Sequence, residues 1–573
     1  MIPSKLFPLL LFLLSQSLQG NSSSDIFSSI TAIDQAVSAG RHLASELQTY
    51  VTKEEARLAK MRLLIGRLEN ATRNCANNTH DEDGLFDASA QETIANPVSA
   101  FLTIFRLASN WSKELAVLLD VPISDSGQEE TSVTAFNEFN SRRKLFLRLR
   151  WYADMLPGAS DVDGALDAII RLQQTYEIPA SDIAEGRILP TSQSPRLTER
   201  QCMHLGLFAY ELGDYPRAVE WFQLVLDRLN RVPLHQRNAD DDGANPISHA
   251  MVYDHLSYAL GRAGRYREAL DVTNLLLNED PNSRNGALNK MFYEMELKRY
   301  KGNDPPPIQQ DTSMEAGWET GDFDDLCRKA DKPMHPDYRL SCRYTVPHPF
   351  FLIGPIKEEV MQVDPPIVLW HEFVTKNEAE MIIDLAKPKL KRALVRNPSS
   401  GVLEPAPYRV TKNVWLPDDL NNLTKSINSR IRMVTGLSID HGEELQVANY
   451  GLGGYYAPHF DYARRFEVDA YERNHGNRIA TFMVYLTPVQ LGGATVFTKI
   501  GAIVKPVARS AVFWYNLLRS GDGDLRSRHG ACPVLVGSKW VMNKWIRDSG
   551  QELKRPCLLE QEPFDPLDEY NDI

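Results

Sequence analysis

The segment YAPHFDYA, Tyr456–Ala463, sets His459 and Asp461 two residues apart in a run rich in aromatic side chains. Side chains alternate along an extended strand, so this spacing sends the imidazole and the carboxylate to one face. The surroundings read as strands. PPIVLWHEF, YRVTKNVWL, EELQVANYG, NRIATFMVYLTPV, GGATVFTKIGAIVKP, SAVFWYNL, CPVLVG and KWVMNKWI are short β-branched and aromatic runs punctuated by Gly and Pro. That pattern marks an antiparallel sandwich or jelly roll. One helix, NEAEMIIDLAKPKL, lies at their start.

A metal centre needs a third ligand. The stretch SRHGACPVLVGSKWVMNKWI offers His529 at the entrance to another strand. Two histidines and one carboxylate cover one face of an octahedral metal and leave three positions open, the mark of non-haem iron oxygenases. Beyond His529, Gly537-Ser538 forms a hairpin turn. Lys539 then opens a strand on which Lys539, Val541, Asn543, Trp545 and Arg547 share a face. A lysine turned into the core is costly unless an anion meets it. The sequence shows no inward acid to do so, and 2-oxoglutarate fits: its oxo-acid end chelates iron and its far carboxylate pairs with an ammonium. A zinc hydrolase is disfavoured because HEFVT, His371–Thr375, lacks the second histidine of the helical motif. GLGG, Gly451–Gly454, is followed by neither a lysine nor a helix and reads as a tight turn.

The chain has 573 residues, 43 % hydrophobic and 24 % charged, with a net charge of -12. That length suits about three or four domains. The acidic balance argues against nucleic-acid binding. Lys5 followed by the apolar run Leu6–Leu14 reads as a secretory signal peptide over residues 1–20, too short to span a membrane. Asn-x-Ser/Thr sequons at Asn70, Asn77, Asn110 and Asn422 agree with a secretory route. In an oxidising compartment the local pairs Cys327–Cys342 and Cys532–Cys557 are the expected disulfides.

Residues 21–135 are expected to form a helical arm: Ile26, Ile30, Ile33 and Val37, then after a break at Gly40 Leu47, Val51, Leu58, Met61, Ile65 and Leu68, keep a heptad-like seam. Residues 136–300 contain an internal repeat. LGLFAYELGDYPRAVEWFQLVL and LSYALGRAGRYREALDVTNLLL align, with Leu205, Gly213, Tyr215 and Ala218 matching Leu256, Gly264, Tyr266 and Ala269. This is the tetratricopeptide pattern of helix, turn glycine and helix. Tyr215 and Tyr266 occupy packing positions of the repeat. Tyr210, Tyr215 and Tyr258 are candidates for an aromatic groove suited to a proline-rich extended peptide. Residues 301–345 are rich in Pro, Gly and acids and read as a linker; the strand-rich domain covers 346–560, and 561–573 form a tail.

EELQVANYGLGGYYAPHFDYAR, GNRIAT, GGATVF, AVFWYN and RHGACPVLVGSKWV resemble the catalytic domain of the collagen-type prolyl 4-hydroxylase alpha subunit, and the likeness extends over nearly the whole chain. The resemblance implies a double-stranded β-helix with His459, Asp461 and His529 holding Fe(II). Lys539 would pair with the distal carboxylate of 2-oxoglutarate, with Tyr450 and Trp545 lining that pocket and Tyr456 and Arg478 near the substrate proline. Where vertebrate collagen enzymes have a histidine by the cosubstrate this chain has Arg547, and where the peptide groove typically has a further tyrosine it has His255. The resemblance also implies O2 and L-ascorbate as co-reactants, protein disulfide isomerase as a beta subunit in an α2β2 tetramer, and the lumen of the endoplasmic reticulum. A lysyl hydroxylase and a catalytically weak binder of proline-rich clients are the rival readings.

Overall fold

A computed structural model describes residues 30–73, 95–108, 111–119, 133–188, 195–231, 247–300, 304, 320–332, 339–396, 403–464 and 475–558. The chain divides into two compact units, residues 1–71 with 110–155, and residues 72–109 with 156–573.

In the first unit Ile30–Arg73 form one helix of 44 residues. The break expected at Gly40 is absent; a single exposed glycine costs a helix only about 1 kcal/mol. Met61 packs against a small cluster of Ala116, Leu119 and Phe146. Leu47, Val51, Leu58 and Ile65 of the expected seam stay about half exposed in the single chain. Phe146 belongs to the helix Val133–Ala153, which packs on Trp111–Leu119. The boundary set at residue 135 therefore falls inside an element of this unit.

The repeats of the second unit fold as their small residues dictate. Glu199–Glu211 and Tyr215–Arg231 form the first helical pair, His249–Arg262 and Tyr266–Glu279 the second, with Arg284–Arg299 beside them. Gly213 and Gly264 turn the chain with φ of 77° and 78°, values that favour glycine. Gly206 lets its helix approach Phe222: a Cβ there would stand 2.7 Å from the ring.

The linker reading of 301–345 is corrected in part. Thr320–Ala330 form a helix whose Phe323, Leu326, Cys327 and Ala330 pack with Ala494, Val496, Ile503 and Cys532. The disulfide expectation is corrected as well. Cys327 is bonded to Cys532, 205 residues away, while Cys342 and Cys557 are exposed free thiols. The cause is tertiary: Cys327 faces the apolar cluster that contains Cys532, whereas Cys342 sits on an exposed edge strand.

The C-terminal part is a jelly roll, as its alternating runs indicate. Its larger sheet orders nine antiparallel strands as Cys342–Thr345, Ile356–Gln362, Ile367–His371, Ala511–Tyr515, Arg478–Tyr485, Lys539–Arg547, Leu445–Tyr450, Lys412–Leu416 and Lys391–Arg392. Opposite lie Ala502–Val504, Thr495–Phe497, His529–Ala531 and Tyr456–His459. Phe497 and Val504 from the small sheet meet Met483, Tyr485, Trp514 and Val541 from the large one in one core. Gly451–Gly454 is the tight turn expected of it. Gly453, at φ 56°, lies so close to the helix Ala159–Tyr176 that a Cβ would be 2.9 Å from that of Ala168. Arg171 of that helix donates to the Gly453 carbonyl at 3.0 Å, and the Tyr176 hydroxyl to that of Pro533 at 2.6 Å. The helical module is thereby seated on the segment that leads into Tyr456–His459 and on the one that follows His529–Ala531.

Among the sequons, Asn422 is exposed at the start of the helix Asn422–Thr435, capped by Asn421. Asn70 lies in the long helix, its side chain outside the described residues; Asn77 and Asn110 lie outside them altogether. No described helix is long and apolar enough to cross a membrane.

Candidate metal centre

His459 and His529 are direct cross-strand partners. Asp461 follows just past the end of the Tyr456–His459 strand. Its two carboxylate oxygens lie 3.5 Å from His459 Nε2 and 3.6 Å from His529 Nε2. One ligand atom from each residue falls within 4.8 Å of the others. The other ring nitrogens are held by backbone: His459 Nδ1 is 2.8 Å from the Ala457 carbonyl and His529 Nδ1 2.9 Å from that of Ser527. A carbonyl only accepts, so each Nδ1 carries the proton and each Nε2 lone pair points to the centre. Burial pushes the His529 imidazolium down to about 4 and keeps the ring neutral. Burial alone would raise the Asp461 carboxyl, but His529, His459 and Arg478 outweigh it and hold it well below the usual range. Two neutral imidazoles and one carboxylate suit Fe(II).

The carboxylate is itself oriented. The Thr481 hydroxyl donates to Asp461 Oδ2 at 2.7 Å, and the Asn516 amide donates to that hydroxyl at 2.9 Å. Neither Thr481 nor Asn516 was singled out in the sequence; each lies on or beside a strand with nothing local to mark it.

Lys539 stands where the sequence puts it. It pairs with Tyr450 across the sheet and is 1 % exposed. Among the described residues its ammonium has no hydrogen-bond partner, and it lies 5.3 Å from the Tyr450 ring and 5.5 Å from that of Tyr485. Burial pushes its pKa down to about 7. An orphaned ammonium in a cavity shared with the triad, Tyr450, Tyr456 and Trp545 fits the far carboxylate of 2-oxoglutarate.

One expectation changes here, that Arg547 adjoins the cosubstrate. Arg547 does not line this cavity. It pairs with Arg478 at a register shift and donates to the Gly476 carbonyl at 2.8 Å and to Glu443 at 2.5 Å. Arg478 grips the same Glu443 at 2.6 and 2.8 Å, lies 4.2 Å over Trp545 and donates to the Asp461 backbone carbonyl at 3.1 Å. It too is absent from the cavity lining, so it supports the ligand loop and Trp545 from outside that lining. Burial would raise the Glu443 carboxyl; Arg478, then Arg547, bring it below the ordinary value. The arginine that does line the cavity, beside Lys539, is Arg409, 4.7 Å over Tyr456 and hydrogen-bonded to Gln446. It lies in the YRVTKNVWL stretch, and its lone β-bridge to Tyr456 is invisible to strand periodicity. Tyr456 lines the cavity and stacks on His459 at 3.6 Å.

The tyrosine expectation resolves into a groove. Tyr210 and Tyr258 line a cavity of about 430 Å³ with Asp254, His255, Asn285 and Asn289. Tyr215, the third candidate, is not part of that lining and packs against both rings, 5.7 Å from Tyr210 and 6.2 Å from Tyr258, and Tyr266 is buried.

A jelly roll holding two histidines, one carboxylate and a buried lysine defines an Fe(II)/2-oxoglutarate-dependent oxygenase, and residues 445–547 match the profile of the 2OG-Fe(II) oxygenase superfamily. Residues 29–190 match the prolyl 4-hydroxylase alpha-subunit N-terminal region, and 199–299 the prolyl 4-hydroxylase peptide-substrate-binding domain. The chain belongs to the prolyl 4-hydroxylase alpha-subunit family. It is 36 % identical over 550 residues to prolyl 4-hydroxylase subunit alpha-2 of Caenorhabditis elegans, covering 95 % of each chain. It is 35 % identical over 551 residues to subunit alpha-1 of Homo sapiens, covering 93 % of this chain and 96 % of that one. A solved viral collagen prolyl hydroxylase from Paramecium bursaria Chlorella virus-1 aligns at 23 % identity and a TM-score of 0.26, covering 31 % of this chain and 94 % of the other.

Proposed function

We propose that the chain hydroxylates peptidyl proline at C4 in proline-rich, collagen-like segments, using 2-oxoglutarate and O2. The observation that carries the cosubstrate is the partnerless Lys539 ammonium beside the triad. The substrate class is supported by the tyrosine groove and by what the relatives are named for. Bound Fe(II) and 2-oxoglutarate supply the oxidising chemistry, coupling decarboxylation to succinate and CO2 to insertion of one oxygen atom. The chain's own groups bind and orient. Lys539 fixes the far carboxylate, Tyr450 and Trp545 wall the pocket, Thr481 and Arg478 hold Asp461, and the aromatic lining excludes water. L-Ascorbate is the reductant that keeps such a site ferrous. The exposed seam on the helix Ile30–Arg73 supports pairing of two such chains. Protein disulfide isomerase would complete an α2β2 assembly. The leader-like residues 1–20, the sequons and the disulfide support the endoplasmic reticulum lumen as its location.

The decisive experiment follows CO2 released from labelled 2-oxoglutarate with and without a Pro-Pro-Gly repeat peptide, and weighs that peptide by mass spectrometry. Peptide-stimulated release with one added oxygen per modified proline is expected. Oxidation confined to lysine in a lysine-containing repeat would indicate a lysyl hydroxylase, and peptide binding without CO2 a non-catalytic client binder.

Cosubstrate affinity should depend on pH in a stated direction. Free Lys539 loses its proton near pH 7, whereas a bound carboxylate favours the charged form. Above pH 7, binding must take up a proton. The Kd for 2-oxoglutarate is expected to rise about tenfold per pH unit between 7 and 9. Calorimetry in buffers of different ionisation enthalpy would reveal that uptake, and a flat profile would contradict it.

A further inference from the structure

We infer that the tyrosine groove selects proline-rich chains that carry a basic residue, with Asp254 as the group that reads the charge. This rests on the proline-rich substrate proposed above and narrows it.

Proline rings need only aromatic walls, which the groove provides. The Tyr210 and Tyr215 rings stand 5.7 Å apart at 87°, and Tyr210 and Tyr258 stand 5.5 Å apart at 54°. These touching rings form one aromatic wall, of which Tyr210 and Tyr258 face the cavity, and tyrosine faces attract cations as well as prolines. Asp254 has no part in holding apolar rings, yet it lines the same cavity. Its side chain is half-buried, and among the described residues no hydrogen bond or ion pair reaches its carboxylate. The nearest arginine on its helix, Arg262, lies over Tyr215 at 5.2 Å and does not line the cavity. On the opposite wall Asn285 and Asn289, one helical turn apart, add amides that can bind a peptide backbone but bring no charge. A cation carried by the ligand would meet both the carboxylate and the phenol faces. The chain's net charge of -12 biases approach in the same sense.

The test measures binding of Pro-Pro-Gly repeat peptides in which one proline is replaced by Lys, Gln or Glu, using the full chain. The Lys peptide is expected to bind about tenfold more tightly than the Glu peptide, with Gln between, and the spread should shrink in high salt. Asp254→Asn, which keeps the side chain's size, should bring the three within about twofold. Equal affinities for wild type, or an unchanged ranking in Asp254→Asn, would overturn the inference and leave the proline-rich groove standing. Failure of all three peptides to bind would remove both.

Discussion

Lys539→Met is expected to cut turnover at limiting 2-oxoglutarate by about two to three orders of magnitude while making the ligand-free protein more stable. The two effects have one cause. Lys539 is almost wholly buried with no hydrogen-bond partner for its ammonium among the described residues, and its pKa falls from 10.5 to about 7. In the unfolded chain it stays protonated up to about pH 10.5. The unfolded state therefore binds the extra proton between pH 7 and 10.5, and wild-type stability rises with pH across that window, by up to about 1.4 kcal/mol per unit. Below pH 7 the destabilisation is fully present. Methionine fills similar space without the charge, so the variant should melt higher than wild type, most clearly at pH 6 to 7, without the pH slope. Once 2-oxoglutarate is added the order reverses: wild type gains a buried ion pair and the variant gains nothing. Truncating one partner of such a pair costs about 2–5 kcal/mol, so turnover at limiting cosubstrate should fall by about two to three orders of magnitude. Melting curves from pH 6 to 9 with and without 2-oxoglutarate check both halves. A variant stabilised by 2-oxoglutarate as strongly as wild type would sink the assignment of Lys539.

Asp461→Ala should remove iron binding and all detectable hydroxylation while leaving peptide affinity unchanged. Asp461 lies between the two Nε2 atoms and is the charged member of the donor set. Without it two neutral imidazoles remain, too few to fix a hard divalent cation in a defined geometry. Thr481→Val gives the graded control. It deletes only the hydroxyl that donates to Asp461 Oδ2, and losses of about 10- to 100-fold in iron affinity are expected for a group that orients a ligand. Metal content after dialysis, read beside binding of a Pro-Pro-Gly peptide to the tyrosine groove, separates a damaged centre from a misfolded chain. Iron retained at wild-type affinity by Asp461→Ala would place the metal elsewhere.

The site was legible wherever a local rule fixes a direction. His459 and Asp461 are close in sequence, and the triad needed one further histidine at a strand entrance. Lys539 was marked by contradiction, an ammonium on an apolar face. Thr481, Asn516 and Arg409 carried no such mark. Each acts across a distance no period records: from a strand of the larger sheet, from the segment after Ala511–Tyr515, and through one bridge to Tyr456. Arg547 shows the limit of face counting. Alternation placed it with Lys539 and Trp545, but the register shift at Arg478 and the carboxylate of Glu443 took its guanidinium elsewhere.

By itself the sequence determined the helical repeats, the strand-rich C-terminal domain, the His459–Asp461 pair and the inward lysine, because periods of two and of about 3.6 residues set which side chains share a face, and it offered His529 as the third candidate ligand. Only the tertiary structure decided that Cys327 bonds Cys532, that a helix crosses the segment read as a linker, and which arginine lines the cavity. Those outcomes depend on distances between elements far apart in the chain. Sulfur and charge pair with what packing brings near them, not with what lies next in sequence.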